Sequence, residues 1–231
     1  MLSPQESHYG CFPIHVDKND HFYQTFKQGC INFVRSSLVP NTDCKMGYGK
    51  QLSKVSHYLD GSVFYGSDSN TQTEVRSFKN GKLRMFNDFG RDMLPLSKEK
   101  DACLTMKKGS ACFFAGDGRC NQIITLTALH QLFAREHNRI ADALSHLNLH
   151  WMDEVIFQEA RRIVIAEFQH ITYNEWLPII VGSKTMQRFS LNVHAHGYSA
   201  DYDPEIKASI TNEFSGAAFR FGHSAVDGKL Q

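Results

Sequence analysis

The sequence predicts a mainly α fold with long loops and little β-structure, and three observations predict it. From Thr125 onward apolar residues recur at three- and four-residue spacing, residues 1–120 are dense in turn chemistry, and no clean alternating strand pattern occurs. The 231 residues, 42% of them hydrophobic and 12% aromatic, hold enough apolar material to bury a sizeable core.

Along the first half, Asn41, Asp43, Gly47, Gly49, Asp60-Gly61, Gly66-Ser67-Asp68, Asn80-Gly81 and Gly116-Asp117-Gly118 mark turns. Residues 50–60 and 71–79 could each form two or three helical turns. A long amphipathic helix then begins at Thr125, with Leu126, Leu129, Phe133, His137, Ile140, Leu144 and Leu147 as one stripe. A second is expected from about Asp153, a plausible N-cap, to Tyr173, with Ile156, Ala160, Ile163, Val164 and Ile171 on or near its apolar face. Pro178 and Gly182 punctuate its end. A third is expected from the Asp203-Pro204 pair through Ile206, Ile210, Phe214, Ala217 and Phe221, stopped by Gly222.

A net charge of +1 with scattered basic residues gives no electrostatic reason to expect nucleic acid or an anionic membrane as partner. No apolar run reaches the roughly 18 residues needed to span a bilayer. The opening MLSPQESHYG lacks the charged region and apolar stretch of a signal peptide. Six cysteines, Cys11, Cys30, Cys44, Cys103, Cys112 and Cys120, contain no CxxC pair, and their even number in a loop-rich chain tilts the compartment towards oxidising.

Four groups of residues could carry chemistry. His130 and His137 share a helix face, and His146 and His150 lie four apart. Without an HExxH pattern or a third ligand, both pairs read as solvated or hydrogen-bonded core histidines. His223 sits in FRFGHS, where Phe219 and Phe221 could line an apolar slot, Gly222 permit close approach, and Arg220 meet an anionic substituent. Taken alone, a histidine at a helix end is more often structural. AGDGRCN, residues 115–121, presents Arg119 on a tight turn. There it could steady developing negative charge or simply pair with Asp117. SHYLDGS, residues 56–62, alternates oxygen donors at Ser56, Asp60 and Ser62 with a backbone carbonyl at Tyr58, a spacing that suits part of a calcium site.

In sequence order, CFPI…CINFVRSS at 11–37, LDGSVFYGSD at 59–68, CFFAGDGRCN at 112–121, ALHQLFAREHNRIA at 128–141, TYNEWLPIIVG at 172–182 and FRFGHS at 219–224 together resemble the animal haem peroxidases. The resemblance covers nearly the whole chain and implies a haem-peroxidase-like helical domain that cleaves hydrogen peroxide and oxidises a small or phenolic donor, with a place in the response to oxidative stress. It implies haem b, with His223 as proximal iron ligand, Arg220 as propionate partner and Arg119 as distal arginine. Calcium is implied at Ser56, the Tyr58 carbonyl, Asp60 and Ser62, and a disulfide between Cys103 and Cys112.

The sequence departs from the family pattern in three ways. The family's distal histidine lies in an Asp-His-Asp type stretch upstream of CFPI, together with a haem-linking aspartate and a further calcium carboxylate, and no such stretch is present. The position of the glutamate that esterifies a haem methyl is Gln122, and its neighbour is Ile123, so haem is expected to be held without covalent links on this side. The chain also stops eight residues after His223, where the family continues with further helices. Residues 1–231 are therefore expected to be the central part of one domain, truncated at both ends, from a secreted parent. The upstream partners of Cys11 and Cys30 would lie in that parent. The alternative is a catalytically inactive binding or extracellular-matrix relative, which Gln122 and the absent distal histidine motivate.

Overall fold

The structure, a computed structural model, describes His8, residues 10–40, Cys44, and residues 46–98 and 111–226. In chain order the elements are β1 (Ile14–His15), β2 (Cys30–Ile31), α1 (Ser62–Tyr65), α2 (Ser69–Val75), β3 (Phe86–Asp88) and β4 (Arg91–Met93). Then follow α3 (Ile124–Leu147), α4 (Asp153–His170), α5 (Leu177–Val181), α6 (Ser183–Arg188) and α7 (Asn212–Gly216). The mainly helical class holds, and no helix among the described residues is long and apolar enough to cross a membrane. Two compact units divide the chain, Met1–Lys54 with Ser209–Gln231, and Val55–Ala208.

In the first unit, β1 and β2 pair antiparallel, with Ile14 opposite Ile31 and His15 opposite Cys30, and a bridge joins Cys11 to Val34. CFPI and CINFVRSS are thus the two arms of one short ribbon. The Arg35 guanidinium lies over the Phe12 ring, 4.7 Å from its centroid. The third expected helix is much shorter than its periodicity suggests: α7 is five residues long, and a 3₁₀ helix covers Ala218–Ala225. Gly222 lies inside that 3₁₀ helix rather than ending it. Asp203 accepts the Glu205 N–H at 2.8 Å, a local turn, and Ile206 and Ile210 are 66% and 42% exposed. With that stripe left exposed among the described residues, propensity alone does not sustain a helix. Helix formation resumes at Thr211, whose hydroxyl caps the Phe214 N–H.

The second unit is built on the antiparallel pair α3 and α4, joined by residues 148–152. Alanines on both helices are almost completely buried, Ala134 and Ala141 on α3 and Ala160 on α4, and small side chains there let the backbones approach. Phe64 of α1 stacks on Phe133 of α3 with ring centroids 4.5 Å apart, and meets Phe168 of α4 edge-on at 5.6 Å. The buried face of α3 is not the expected leucine stripe. Thr127, His130, Gln131, Ala134, His137, Ile140 and Ala141 are buried, whereas Leu129 and Leu147 are 51% and 79% exposed.

The polar members of that face grip the preceding loops. Gln131 Oε1 accepts the Leu94 N–H and its Nε2 donates to the Asp92 carbonyl, while Asn138 accepts the Leu83 N–H and donates to the Leu83 carbonyl. His137 Nε2–H donates to the Gly81 carbonyl at 2.9 Å, which leaves Nδ1 as acceptor for the Tyr65 hydroxyl, also at 2.9 Å. The imidazole is neutral in this arrangement. His130 donates from Nδ1 to the Leu126 carbonyl, so both histidines are the core residues the sequence suggested.

Residues 50–60 form no helix, and the expected turns at 71–79 begin earlier, as α2, because Asp68 caps the Asn70 and Thr71 N–H groups. The β3–β4 hairpin, absent from the sequence reading, turns on Phe89 and Gly90, both at positive φ. Asp153 is not the N-cap of α4, a place taken by Met152. Its carboxylate instead accepts the Gly81 N–H and pairs with Arg76 at 2.9 Å. Arg76 also pairs with Glu154 and lies over the Phe157 ring, 3.9 Å from its centroid. Pro178 does not end a helix either: α4 passes through a π-helical turn, Ile171–Trp176, into α5, and Gly182 at φ +79 provides the stop.

Burial, with the Arg76 and Arg161 cations nearby, pushes the His137 imidazole down to about 4. As pH falls, the unfolded imidazole takes its proton near 6.5, well before the folded one does. The associated stability is therefore complete above pH 6.5 and lost as pH drops towards 4, by roughly 3 kcal/mol if the whole shift is expressed. Urea midpoints measured across that window should fall more steeply in the native protein than in His137→Gln, which has no proton to take up.

Candidate functional site

Arg119 lies in a 3₁₀ turn, Gly118–Asn121, that leads into α3. Three contacts fasten the turn. Asn121 accepts the Phe113 N–H and donates to the Phe113 carbonyl, at 2.8 and 2.7 Å. The Thr127 hydroxyl donates to the Cys120 carbonyl at 2.6 Å. Gly116 packs directly on the end of α1: a Cβ there would lie 2.4 Å from the Gly66 nitrogen and 2.5 Å from the Phe64 carbonyl carbon. Only glycine fits, so AGDGR and LDGSVFYGSD, some fifty residues apart, are two sides of one backbone contact.

At the tip of this turn Asp117 receives Arg119 three times. Oδ1 accepts the Arg119 N–H at 2.8 Å and Nε–H at 2.9 Å, and Oδ2 accepts from Nη2 at 2.7 Å. Those bonds hold the Asp117 carboxyl below the usual carboxylate range against the opposing effect of burial, and they raise Arg119 in turn. The Arg119 side chain is 65% exposed and that of Asp117 16%. Gln122 caps the turn three residues on, exposed and on the same face as Arg119. Cys120 points inward instead: burial, with the Asp117 carboxylate beside it, pushes its thiol up to about 11, which makes it a poor nucleophile.

The oxygen-rich loop is also ordered. Ser56 Oγ accepts the Tyr58 N–H at 3.1 Å, Asp60 Oδ1 accepts the Ser62 N–H at 3.0 Å, and Gln169 ties the loop to α4 by donating to the Leu59 carbonyl at 2.8 Å. Burial would raise the Asp60 carboxyl, but hydrogen bonds from Ser62 and Ser56 outweigh it and keep it below the usual range. Ser56 and Ser62 therefore converge on the ionised Asp60 carboxylate, a set of oxygens of the hard kind that calcium takes. Among the described residues no three histidine, cysteine, aspartate or glutamate side chains gather to hold a metal, so a cation here would rest on one carboxylate, hydroxyls and carbonyls.

His223 stands on the 3₁₀ helix Ala218–Ala225, one turn after Arg220, so the two share a face. Both are exposed. Among the described residues no hydrogen bond engages the His223 ring, and Arg220 uses only Nε, donating to the Ser215 carbonyl at 3.1 Å. Phe219 packs on Phe214 with centroids 5.6 Å apart, yet Phe219 and Phe221 are 54% and 49% exposed, so they close no slot by themselves. A side chain at Gly222 would meet nothing within 4 Å, so the close approach expected there is not made within the described residues. Arg119 and His223 fall in different compact units.

Two readings are settled among the remaining residues. His146 donates from Nδ1 to the Asp142 carbonyl while His150 lies beyond the end of α3 against Trp151, so they form no metal pinch. Among the described residues Cys11, Cys30, Cys44 and Cys120 form no disulfide. Cys103 lies outside the described residues, and with it the expected Cys103–Cys112 pairing. The clamps Asn121, Thr127, Gln131 and Asn138 went unnoticed in the sequence. They stand six, four and seven residues apart, so Thr127, Gln131 and Asn138 share a helix face, and polar residues on one helix face are the only local signal of that role.

The family model for animal haem peroxidases matches residues 2–231. A chorion peroxidase of Drosophila melanogaster is 58% identical over 230 residues, covering 100% of this chain and 28% of the relative. A chorion peroxidase of Aedes aegypti is 43% identical over 221 residues, covering 96% of this chain and 28% of that relative. Among solved structures, peroxidase A from Dictyostelium discoideum superposes with a TM-score of 0.74 at 29% identity, over 94% of this chain and 42% of its own. The chain thus spans 28% of the length of these curated relatives. A match along the whole sequence, at such identity and on the same fold, means that this chain belongs to the animal haem peroxidase family.

Proposed function

We propose that the chain is the central portion of a haem-dependent peroxidase that reduces hydrogen peroxide and oxidises a small or phenolic donor. The observation that carries this reading is the exposed face of the 3₁₀ helix Ala218–Ala225, where, among the described residues, a histidine whose ring makes no hydrogen bond stands one turn from an arginine that engages only its Nε. That pairing suits a haem, which needs a neutral imidazole for iron and a cation for a propionate. His223 is the proposed ligand, Arg220 the propionate partner, and Phe219 and Phe221 apolar surface for the macrocycle.

Bound haem supplies the redox-active iron. Arg119 supplies fixed positive charge, donating to the oxygen on which negative charge develops as the peroxide bond breaks. Gln122, on the same face as Arg119, keeps its amide and offers a hydrogen bond in place of an ester, so retention rests on His223, Arg220 and packing. The proton that must pass between the two peroxide oxygens is assigned to no residue of this chain. It belongs to the distal histidine that the family carries upstream.

The same reading assigns calcium to Ser56, the Tyr58 carbonyl, Asp60 and Ser62, a disulfide to Cys103 and Cys112, and an extracellular setting, with a part in the response to oxidative stress, to the parent protein. Gln122 also favours a second reading, a binding or matrix protein that kept the fold and lost turnover.

In the longer haem-loaded parent, His223→Ala should abolish the Soret band. A variant that kept a five-coordinate histidine-ligated spectrum would show the ligand assignment to be wrong. Peroxide-dependent guaiacol oxidation by the same preparation should be brisk, and its absence at full haem content would favour the matrix-protein reading. Asp60→Ala should weaken calcium binding by about tenfold or more in equilibrium dialysis, because it removes the one carboxylate of the loop.

A further inference from the structure

We propose that Asp117 is the positioning residue of Arg119, holding one edge of its guanidinium so that the other edge is presented to peroxide; this rests on the peroxidase reading above. A guanidinium has five N–H donors in a fixed plane. Asp117 takes the Nε–H and one hydrogen of Nη2 as a two-pronged fork, at 2.9 and 2.7 Å. Of the three remaining hydrogens, one on Nη1 and one on Nη2 leave along a second edge, the end of the group, and the other on Nη1 faces the Cδ side. Because the plane is rigid, fixing the first edge fixes the direction of the second.

The fork is anchored on the protein side and open on the other. Asp117 is the N-cap of the 3₁₀ turn, and Oδ1 accepts the Arg119 backbone N–H as well as Nε–H. Its carboxylate is largely buried, and the backbone beside it cannot shift, because Gly116 lies against Phe64 and Gly66. The Arg119 side chain, by contrast, is 65% exposed. As a contributor to stability, an exposed ion pair of this kind is worth little. What it removes is the rotational freedom of a long side chain, before any substrate arrives.

A purely electrostatic role predicts the opposite sign. Asp117 partly neutralises the cation, so if only charge mattered its removal would speed the reaction with peroxide. If orientation matters, removal slows it. Asp117→Asn separates the two, since asparagine is as good an N-cap as aspartate but turns an amide NH₂ towards the guanidinium and breaks the fork. Asp117→Ser provides a second variant that also caps and cannot fork.

The experiment uses the longer haem-containing protein and follows the Soret change after rapid mixing with hydrogen peroxide, with rates taken per haem-loaded molecule. Arg119→Ala, Asp117→Asn, Asp117→Ser and the Arg119→Ala/Asp117→Asn double variant are compared. Both single Asp117 variants should keep the resting Soret spectrum, lower the second-order rate constant about 10- to 100-fold, and leave the KM for guaiacol unchanged. In the Arg119→Ala background, Asp117→Asn should change nothing further, because it acts through Arg119. Unchanged or faster peroxide reaction in the Asp117 variants, with Arg119→Ala slow, overturns this proposal alone. Full additivity of the two substitutions does the same. If Arg119→Ala itself reacts at the native rate, both the positioning role and the assignment of Arg119 fall.

Discussion

Side chains of α3 finish the backbone hydrogen bonds of segments whose own pairing is limited to one short hairpin and isolated bridges, and the second unit depends on this. A peptide group buried without a partner is costly, and extended segments usually satisfy theirs across a ladder. Here the amides of Gln131 and Asn138 each offer one acceptor and one donor to a loop backbone, the same pair a neighbouring strand would offer. Asn121 does this for Phe113, just before α3 begins, and His137 adds the Gly81 carbonyl. The segment 81–94 is thereby fixed along one helix, although its own strands are only three residues each. The string ALHQLFAREHNRIA has a physical meaning on this account: Gln131, His137 and Asn138 clamp loop backbone against the helix.

The same scaffold holds the turn that carries Arg119. A lone arginine on a surface turn samples many rotamers. The turn bearing Arg119 is held on one side by Asn121 and Thr127, and on the other by a glycine pressed against the α1 backbone. The loop of Ser56, Asp60 and Ser62 runs directly into α1, so this oxygen-rich loop and the arginine turn meet at Phe64–Gly66. The contact between them is packed backbone, which does not yield as a flexible side chain would.

The segment bearing His223 has a different physical character. Its 3₁₀ helix is exposed, its aromatic residues are half uncovered, and its apolar periodicity extends upstream through residues that form no helix. Such a pattern records a face whose stability comes from what packs on it. In α3 and α4 the partner surface lies within the same unit, and those helices run to 24 and 18 residues. Local sequence is equally periodic in the two cases; burial decides which becomes a long helix.

Some properties were legible in the residues themselves. The mainly α class, the positions of α3 and α4, and the core role of His130 and His137 follow from spacing, since a period of three to four residues depends only on backbone geometry. The family was legible through the order of motifs, and it is that order, not local chemistry, that singles out Arg119 and His223. Other properties came only from tertiary structure. Asp153 looked like a helix cap and became the partner of Arg76 and Gly81; the leucine stripe of α3 gave way to a face of alanines and amides; Gly116 was one turn glycine among several until α1 lay against it. In each case the deciding partner lies tens of residues away. Short-range periodicity carries no record of which distant backbone group a polar side chain will meet, and only the packed chain supplies it.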